Sequence, residues 1–181
     1  MERVVESPVY GLVAEFSDTE SILAAAHQVH KAGYTKLDAY TPFPVHGLAE
    51  AIGFNDIHVP WIIFISGVLG AVLGFSMEIY CLAVDYPLNV GGRPLISWPS
   101  FIPVGYETTI LCASFGAFLG MLAMNGLPRP HHPIFNTPRF ELASVDKFFL
   151  CIEADDPMFD IERTEQFLET LGPDAVSIVE K

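Results

Sequence analysis

The sequence predicts an α+β membrane protein, in which a ferredoxin-like split βαβ domain is interrupted by a hairpin of two transmembrane helices. Two long apolar windows occupy the middle of the chain, at about residues 60–84 and 102–125. Strand–helix–strand patterns flank these windows on both sides, and two such halves complete one sheet in the split βαβ arrangement. We therefore expect residues 1–58 to form the first half of a soluble domain with its linker, 59–126 the hairpin, and 127–181 a linker and the second half.

Composition agrees with a membrane protein and argues against nucleic-acid binding. The 181 residues are 51% apolar, whereas soluble chains are about 45–50% apolar even when glycine is counted. The formal net charge is −13, while binding to nucleic-acid phosphates or to a polybasic lipid site requires clustered Lys and Arg. Cys81, Cys112 and Cys151 form no C-x-x-C pair, so neither a zinc ribbon nor covalently attached haem c is expected.

Each apolar window contains a single charged residue, Glu78 in the first and Glu107 in the second. Each window exceeds the ~20 residues that a helix needs to cross the hydrocarbon core of a bilayer. Buried core helices are the alternative, but such helices rarely run so long without a polar face. The connection, Asp85–Phe101, is short and rich in Pro and Gly, which predicts a hairpin with both termini on one side.

The basic residues predict which side that is. Arg93 is the only Lys or Arg in the connection, whereas Arg129, Arg139 and Lys147 follow the second window. Because positive residues flank membrane spans mainly on the cytoplasmic side, we expect both termini to be cytoplasmic.

The segment before the hairpin predicts a strand, a helix and a second strand. Residues 9–16 are predominantly apolar and indicate the first strand. Ser17 and Glu20 have the spacing of a capping box at the start of a helix, and Gly33 marks its end. Residues 34–40 indicate the second strand.

The segment after the hairpin repeats this pattern. Residues 147–153 predict the third strand, and 175–179 predict the fourth. Asp160 is the expected N-cap of the intervening helix. The acidic run that ends at Asp160 does not have calcium-loop spacing, so we interpret it as helix capping and a solvated face. We expect two helices on one face of the four-stranded sheet.

The two connecting segments, residues 41–58 and 125–146, are rich in Pro and His and have no clear periodicity. We expect them to be ordered loops that lie along the membrane surface or against partner proteins.

Small residues line one face of each predicted span. Gly67, Gly70 and Gly74 share a face of the first, and Thr109, Ala113, Gly116 and Gly120 share a face of the second. Residues of this size let helix backbones approach closely in lipid, so we interpret both faces as helix-packing surfaces.

Acidic residues inside membrane spans are functional candidates by default. At ~100° per residue, Glu78 lies about 20° from Gly67 and is expected to face the other helix. Glu107 lies roughly 140° from the small-residue face of its own helix and is expected to face lipid, water or another subunit. The two acids are expected at similar depths. A proton path or a subunit interface is one hypothesis for them, and simple contact with the headgroup region is the other.

No catalytic or metal site is predicted. His27 and His30 lie three residues apart, but no third ligand at a suitable spacing completes a zinc site. The remaining histidines are interpreted as loop residues, with clustering at the membrane surface as the alternative: His46, His58, His131 and His132. Neither an activated Ser or Cys nucleophile nor a Gly-rich phosphate loop is visible.

Four separated blocks of sequence are distinctive: Tyr40–Leu48, Asn89–Glu107, His132–Phe140 and Phe148–Asp160. In content and order they resemble the D-type subunits of the alternative complex III family, whose complexes are bacterial quinol:electron-acceptor oxidoreductases. The resemblance implies a non-catalytic subunit, without a cofactor of its own, in the bacterial inner membrane. Haem c, iron–sulfur clusters and quinol are then expected in partner subunits.

The resemblance also implies large polytopic quinol-handling subunits as partners, together with membrane lipid. The glycine faces would contact those subunits, and the hairpin could contribute to proton movement. Two other hypotheses remain: a membrane-tethered regulatory ferredoxin-like domain that binds a small ligand, and a small enzyme with a membrane anchor.

Overall fold

A computed structural model describes residues 9–55 and 57–181 of the chain. Residues 1–8 and Asp56, which the sequence assigns to the first half of the soluble domain, lie outside the described residues. The chain divides into two compact units. One contains the described residues of Met1–Asn55 together with Pro130–Lys181, and the other contains those of Asp56–Arg129. We call these the sheet unit and the helical hairpin.

The elements follow one another in a regular order. They are β1 (Val9–Phe16), α1 (Thr19–Lys31), β2 (Leu37–Tyr40), α2 (Leu48–Ala51), α3 (His58–Ile79), a π-helical segment (Tyr80–Asp85), α4 (Trp98–Met124), two 3₁₀ turns (Pro133–Asn136 and Phe140–Ser144), β3 (Phe148–Glu153), α5 (Ile161–Glu169) and β4 (Ala175–Glu180).

The sheet unit is built on four strands in the order β2-β3-β1-β4. Every neighbouring pair is antiparallel, so the predicted mixture of helices with a four-stranded sheet is confirmed. β1 and β3 are central, and Val13 of β1 pairs with Cys151 of β3. β1 and β2, although consecutive strands in the chain, are not neighbours because β3 lies between them.

One face of the sheet is covered by α1 and α5. Successive residues of a strand point to opposite faces, and Leu12, Ala14 and Phe16 of β1 are buried on the helix side. Ile22 of α1 and Leu168 of α5, both 0% exposed, pack into the same cluster. Leu48 and Ala51 of the short helix α2 belong to the same cluster. These contacts form the main hydrophobic core.

The opposite face of the sheet is covered by residues 133–144, which we call the cover segment. Ile134 and Ala143 of the cover segment are buried in one cluster with Val13, Phe149 and Cys151 of the sheet. The sequence analysis did not predict that this part of residues 125–146 packs on the sheet of its own chain, and contact of its outer side with a membrane surface or partners stays a prediction. The physical reason for this packing is that the central strands are apolar on both faces, and each face must be buried against another layer.

Local details of the sheet unit differ from the sequence prediction at one helix start and agree at the other. The N-cap of α1 is Asp18, whose carboxylate accepts a hydrogen bond from the Ser21 backbone N–H at 2.8 Å, so the predicted capping box at Ser17 and Glu20 is wrong. The Ser17 hydroxyl donates instead to Asp174. The cap of α5 at Asp160 is confirmed, because its carboxylate accepts from the Arg163 N–H at 2.9 Å.

The two helices of the hairpin are longer than the predicted windows. The first continues through the π-helical segment to span His58–Asp85, and the second spans Trp98–Met124. The predicted start of the second helix at residue 102 is therefore late by one turn. Pro99 lies in the first turn of α4, where the missing N–H of proline removes no intrahelical hydrogen bond.

Candidate functional site in the helical hairpin

α3 and α4 pack on each other through glycine. Gly67, Gly70 and Gly74 are buried residues of α3. A Cβ atom at Gly70 would lie 2.6 Å from the carbonyl oxygen of Thr108 and 2.7 Å from the Cβ of Cys112. The backbones of the two helices therefore approach each other at these positions as closely as glycine allows.

The same packing continues along the other half of the hairpin with the glycines on α4. A Cβ atom at Gly116 would lie 2.6 Å from the Cβ of Ser66, and one at Gly120 would lie 2.9 Å from Cγ2 of Ile62. The glycine faces thus pack against the partner helix of the same hairpin. The expectation that they contact other subunits is wrong, because the two described helices already cover these faces for each other.

The outer surface of the hairpin consists of large apolar side chains. Trp61, Val72, Phe115 and Phe118 are each more than half exposed. Only 17% of the most apolar window of the first helix and 6% of that of the second are buried. By length and composition both helices are able to cross a membrane, and a surface of this kind is suited to lipid or to other transmembrane helices.

Glu78 lies on α3 one turn beyond Gly74, so its side chain follows the buried glycine face. It is half-buried, and its Oε2 atom is enclosed without a hydrogen-bond partner among the described residues. Since Gly74 lies against Gly105 and Thr108, the antiparallel arrangement brings Glu78 to the level of the first turns of α4. An enclosed carboxyl oxygen without a partner is costly.

Glu107 has a different environment, because its side chain is exposed on the outside of α4. The longer helix also changes its depth. Glu107 is nine residues beyond Trp98, the first residue of α4, which corresponds to about 13 Å along the axis at 1.5 Å per residue. The equal depth expected for the two acids rested on a helix that begins at residue 102, and that start is wrong.

Two irregularities of the helices lie close to these acids. The π-helical segment Tyr80–Asp85 begins two residues after Glu78, and π-helical turns are frequent at functional sites. Pro103 lies inside α4, four residues before Glu107. The Thr108 hydroxyl donates to the Val104 carbonyl at 2.9 Å, and the Thr109 hydroxyl donates to the Gly105 carbonyl at 2.6 Å. Two threonine hydroxyls thus bond to backbone carbonyls in the turn that follows the proline, an arrangement that often bends helices.

A polar cluster lies under one end of the cover segment in the sheet unit. The Tyr10 hydroxyl donates to Glu153 at 3.2 Å and lies 3.5 Å from Nε2 of His132. Burial, followed by the charge of Glu153, raises the pKa of Tyr10. Burial also raises the pKa of the Cys151 thiol. These groups stay protonated at neutral pH, so the cluster contains no reactive thiolate.

A second polar cluster links the cover segment to the sheet at the other end. Glu15 is only 4% exposed, and its Oε1 atom lies 3.2 Å from Nη2 of Arg139 and 3.5 Å from Nζ of Lys147. Lys147 also donates to Asp174 at 2.8 Å. This hydrogen bond, followed by that of Ser17, lowers the pKa of the Asp174 carboxyl. The cluster pairs a buried carboxylate with two cations, and the sequence analysis did not identify it.

The acidic run was interpreted as helix capping and a solvated face. That interpretation is wrong for Asp156, which is only 4% exposed. Its Oδ2 atom accepts from the backbone N–H groups of Thr35 at 2.7 Å and Lys36 at 2.8 Å. Burial acts to raise the pKa of Asp156, but these hydrogen bonds outweigh it and the pKa is lowered. The same bonds use the donors of Thr35 and Lys36, which explains why β2 begins at Leu37 and not at residue 34.

The described part of the chain contains no candidate metal site. Within residues 9–55 and 57–181, no group of three or more His, Cys, Asp or Glu side chains could hold a metal ion. The imidazole of His30 lies against Gly53, and His132 packs edge to face on Tyr10.

Comparison with known proteins gives one family. The model of the family described as "Alternative complex III, ActD subunit" matches residues 10–178. The chain belongs to this family. A sequence comparison with curated proteins gives no match.

Membership of the ActD family makes this chain an accessory subunit of alternative complex III, a quinol oxidoreductase that takes part in respiratory electron transport. The resemblance found in the four sequence blocks is thereby confirmed. The cofactors of the complex would lie in other subunits, and those subunits are the partners of an ActD chain. Of the four blocks, His132–Phe140 overlaps most of the cover segment, and Phe148–Asp160 contains β3.

Proposed function

We propose that this ActD chain is a non-catalytic membrane subunit that supports assembly of the complex around its polytopic quinol-handling subunits. The helical hairpin crosses the bacterial inner membrane, and the sheet unit lies on the cytoplasmic side with both termini. The exposed carboxylate of Glu107 within a candidate membrane span is the observation that carries this proposal. The orientation is supported by the single Arg93 in the connection against Arg129, Arg139 and Lys147 after α4.

The argument from Glu107 rests on depth. α4 has 27 residues and is about 40 Å long at 1.5 Å per residue, whereas the hydrocarbon core is about 30 Å thick. With about 5 Å of helix outside each boundary, the Cα of Glu107 lies about 8 Å inside the hydrocarbon. A lipid-facing carboxylate at that depth is costly. A polar group of a neighbouring subunit relieves that cost, and this favours an interface over contact with headgroups.

The architecture of the sheet unit supports a structural role over a regulatory one. Its strand order and the position of α1 and α5 on one face agree with a ferredoxin-like split βαβ domain. The cover segment fills the other face of the sheet, where a ligand-binding version of such a domain would have an open surface. We therefore favour the complex subunit over the membrane-tethered regulatory domain.

A contribution to proton movement is the bolder form of the proposal, and it concerns Glu78. The enclosed Oε2 atom without a described partner and the adjoining π-helical segment are features that support it. Acidic residues inside membrane spans are the groups from which proton relays are built.

The test replaces Glu107 with Gln and with Leu in a tagged chain expressed in place of the native one. We expect a several-fold loss of polytopic subunits after purification in mild detergent, larger for Leu than for Gln because Gln keeps hydrogen-bonding groups. Glu162→Gln, the same chemical change at an exposed position of α5, is the matched control. Unchanged subunit composition and unchanged quinol turnover in both Glu107 variants would contradict the proposal for this residue.

A further inference from the structure

The connection at the tip of the helical hairpin, residues 86–97, has an apolar surface. Tyr86 is 68% exposed, Leu88 59% and Val90 73%. Trp98, at the start of α4, is 58% exposed. Loops in water seldom expose several large apolar side chains together, whereas Tyr and Trp are enriched at the membrane–water interface. With the hairpin inserted as proposed above, this connection lies in the headgroup region.

The tip carries one cation, held by a defined turn. Arg93 is the only Lys or Arg between Lys36 and Arg129. Its backbone N–H donates to the Val90 carbonyl at 3.3 Å, and the Asn89 side chain accepts from the Gly92 N–H at 3.0 Å. Gly91 and Gly92 adopt φ values of 65° and 77°, which glycine tolerates best. This turn fixes the position from which the guanidinium group extends.

Arg93 forms part of the wall of a cavity of about 330 Å³. Leu82 and Tyr86 line the cavity from the first helix and its end, and Leu88 and Leu95 line it from the connection. Among the residues that the structure describes, no carboxylate forms an ion pair with Arg93. The cavity therefore combines apolar walls with an exposed arginine that has no ion-pair partner in the described chain.

We propose that this cavity binds an anionic membrane phospholipid. The Arg93 guanidinium donates two hydrogen bonds to the phosphate oxygens, a geometry to which its planar fork is well suited. The apolar walls hold the first methylene groups of the acyl chains. A phosphate whose headgroup carries no compensating positive charge gives Arg93 the stronger attraction, so anionic lipids are preferred to zwitterionic ones. The inference rests on the proposed insertion of the hairpin in the membrane.

The two tryptophans of the chain provide the experiment. Trp98 lies at the tip end of the hairpin and Trp61 at the opposite end, in the first turn of α3. The full-length Trp61→Phe chain is reconstituted in phosphatidylcholine vesicles, and Trp98 fluorescence is quenched by lipid with brominated acyl chains. Brominated phosphatidylglycerol is compared with brominated phosphatidylcholine. The Trp98→Phe chain gives the same comparison at the opposite end.

We expect phosphatidylglycerol to bind near Trp98 about fivefold more tightly than phosphatidylcholine, as one Arg at an anionic surface provides. Arg93→Gln should abolish this preference, Arg93→Lys should retain most of it, and Arg163→Gln on α5 should leave it unchanged. Equal quenching by the two lipids in the unmodified tip, or a preference that survives Arg93→Gln, overturns the inference. If neither brominated lipid quenches Trp61 or Trp98, the result would instead contradict membrane insertion itself.

A neighbouring subunit is the competing occupant of the cavity. In the purified complex, Arg93→Gln is expected to remove bound anionic lipid, measured by mass spectrometry after extraction, and to leave the subunit composition intact. Loss of a subunit with unchanged lipid content would mean that Arg93 binds a partner carboxylate, and this result also overturns the lipid assignment.

Discussion

Gly70 and Thr108 lie so close across the helical hairpin that a side-chain carbon on Gly70 would meet the Thr108 carbonyl oxygen at 2.6 Å. A carbonyl in the middle of α4 cannot move aside without a shift of the whole helix. Gly67, one turn earlier, is also buried, but a carbon added there would meet Ala113 and Thr109 at 3.6 and 3.9 Å. Those are ordinary van der Waals distances, so the two glycines are not equivalent.

We therefore expect Gly70→Ala to destabilise the hairpin by about 1–3 kcal/mol, the usual cost of overpacking, and Gly67→Ala to have little effect. Both substitutions remove a helical glycine and gain the same helix propensity, so the difference between them reports the contact. The thermal midpoint of the full-length chain in mild detergent is the measurement. Equal midpoints for the two variants would show that the helices do not approach as closely as described.

Replacement of Glu78 with Met should stabilise the chain. Met has a similar length and no oxygen, so it removes an enclosed acceptor without a partner in the described chain, which costs about 1–3 kcal/mol. The thermal midpoint in detergent should rise accordingly. In the assembled complex, quinol turnover should fall for both Glu78→Met and Glu78→Gln when the residue carries protons. A rise in stability with normal turnover would leave Glu78 without a functional role.

The cover segment should protect Cys151 from alkylation. Ile134, 2% exposed, packs in the same cluster as Cys151, so Ile134→Ala should cost about 2–5 kcal/mol through the cavity that it leaves. When labelling follows local opening, about 2 kcal/mol corresponds to about a 30-fold faster reaction at residue 151. Peptide mapping after timed exposure to iodoacetamide measures this rate.

Phe135→Ala is the control for that experiment. Phe135 is adjacent to Ile134 but 66% exposed, and exposed positions usually change stability by less than about 0.5 kcal/mol. Its labelling rate should stay within about threefold of the unmodified chain. Similar acceleration by both variants would mean that the cover segment does not pack on the sheet through Ile134.

Asp156→Asn should loosen the start of β2. The carboxylate accepts from two backbone N–H groups of residues 35 and 36, and hydrogen bonds to charged groups contribute about 1.5–3 kcal/mol each. Since one amide oxygen can still accept, we expect a net loss of about 1–3 kcal/mol at pH 7. Hydrogen exchange at the amides of residues 35 and 36 reports it. Asp155→Asn, at the exposed neighbouring residue, should change nothing.

The difference in stability between the unmodified chain and Asp156→Asn should depend on pH with a definite sign. Because the pKa of Asp156 is lowered in the folded chain, the stabilisation is fully present above the unfolded-state pKa, near 3.8. It is lost as the pH falls through the lower, folded-state pKa. The difference between the unmodified chain and Asp156→Asn should therefore be constant at neutral pH and shrink below about pH 4. A difference that grows on acidification would contradict this assignment.

The features that were predicted well from the sequence are those that depend on amino-acid composition and on the periodicity of apolar residues. The two apolar windows need only length and hydropathy to be recognised. The four strands and the Asp160 cap follow from local patterns that the fold does not override. Where two neighbouring residues were equally suited to a role, local pattern failed: Ser17 and Asp18 are both good N-caps, and the contacts of Ser17 with Asp174 and Lys147 decided between them.

The cover segment and its polar contacts could not be predicted for a physical reason. Its 3₁₀ turns are too short to have a detectable period, and its burial depends on strands that are far away in sequence. Glu15 was a partial signal, since a lone acid in an apolar strand requires a cation, but nothing local identifies Arg139 as that cation. The start of α4 was missed because Pro99 in a loop and Pro99 in a first turn look alike.

The strand order has a consequence for biosynthesis. β1 and β2 are made before the hairpin, but no ladder joins them, since β3 must come between. Phe16 pairs with Phe148, so the sheet closes only after both helices of the hairpin have left the ribosome. Under the proposed insertion of the hairpin, a chain that inserted only one of the two helices would have its halves on opposite sides of the membrane. Formation of the sheet would then depend on correct insertion of both helices.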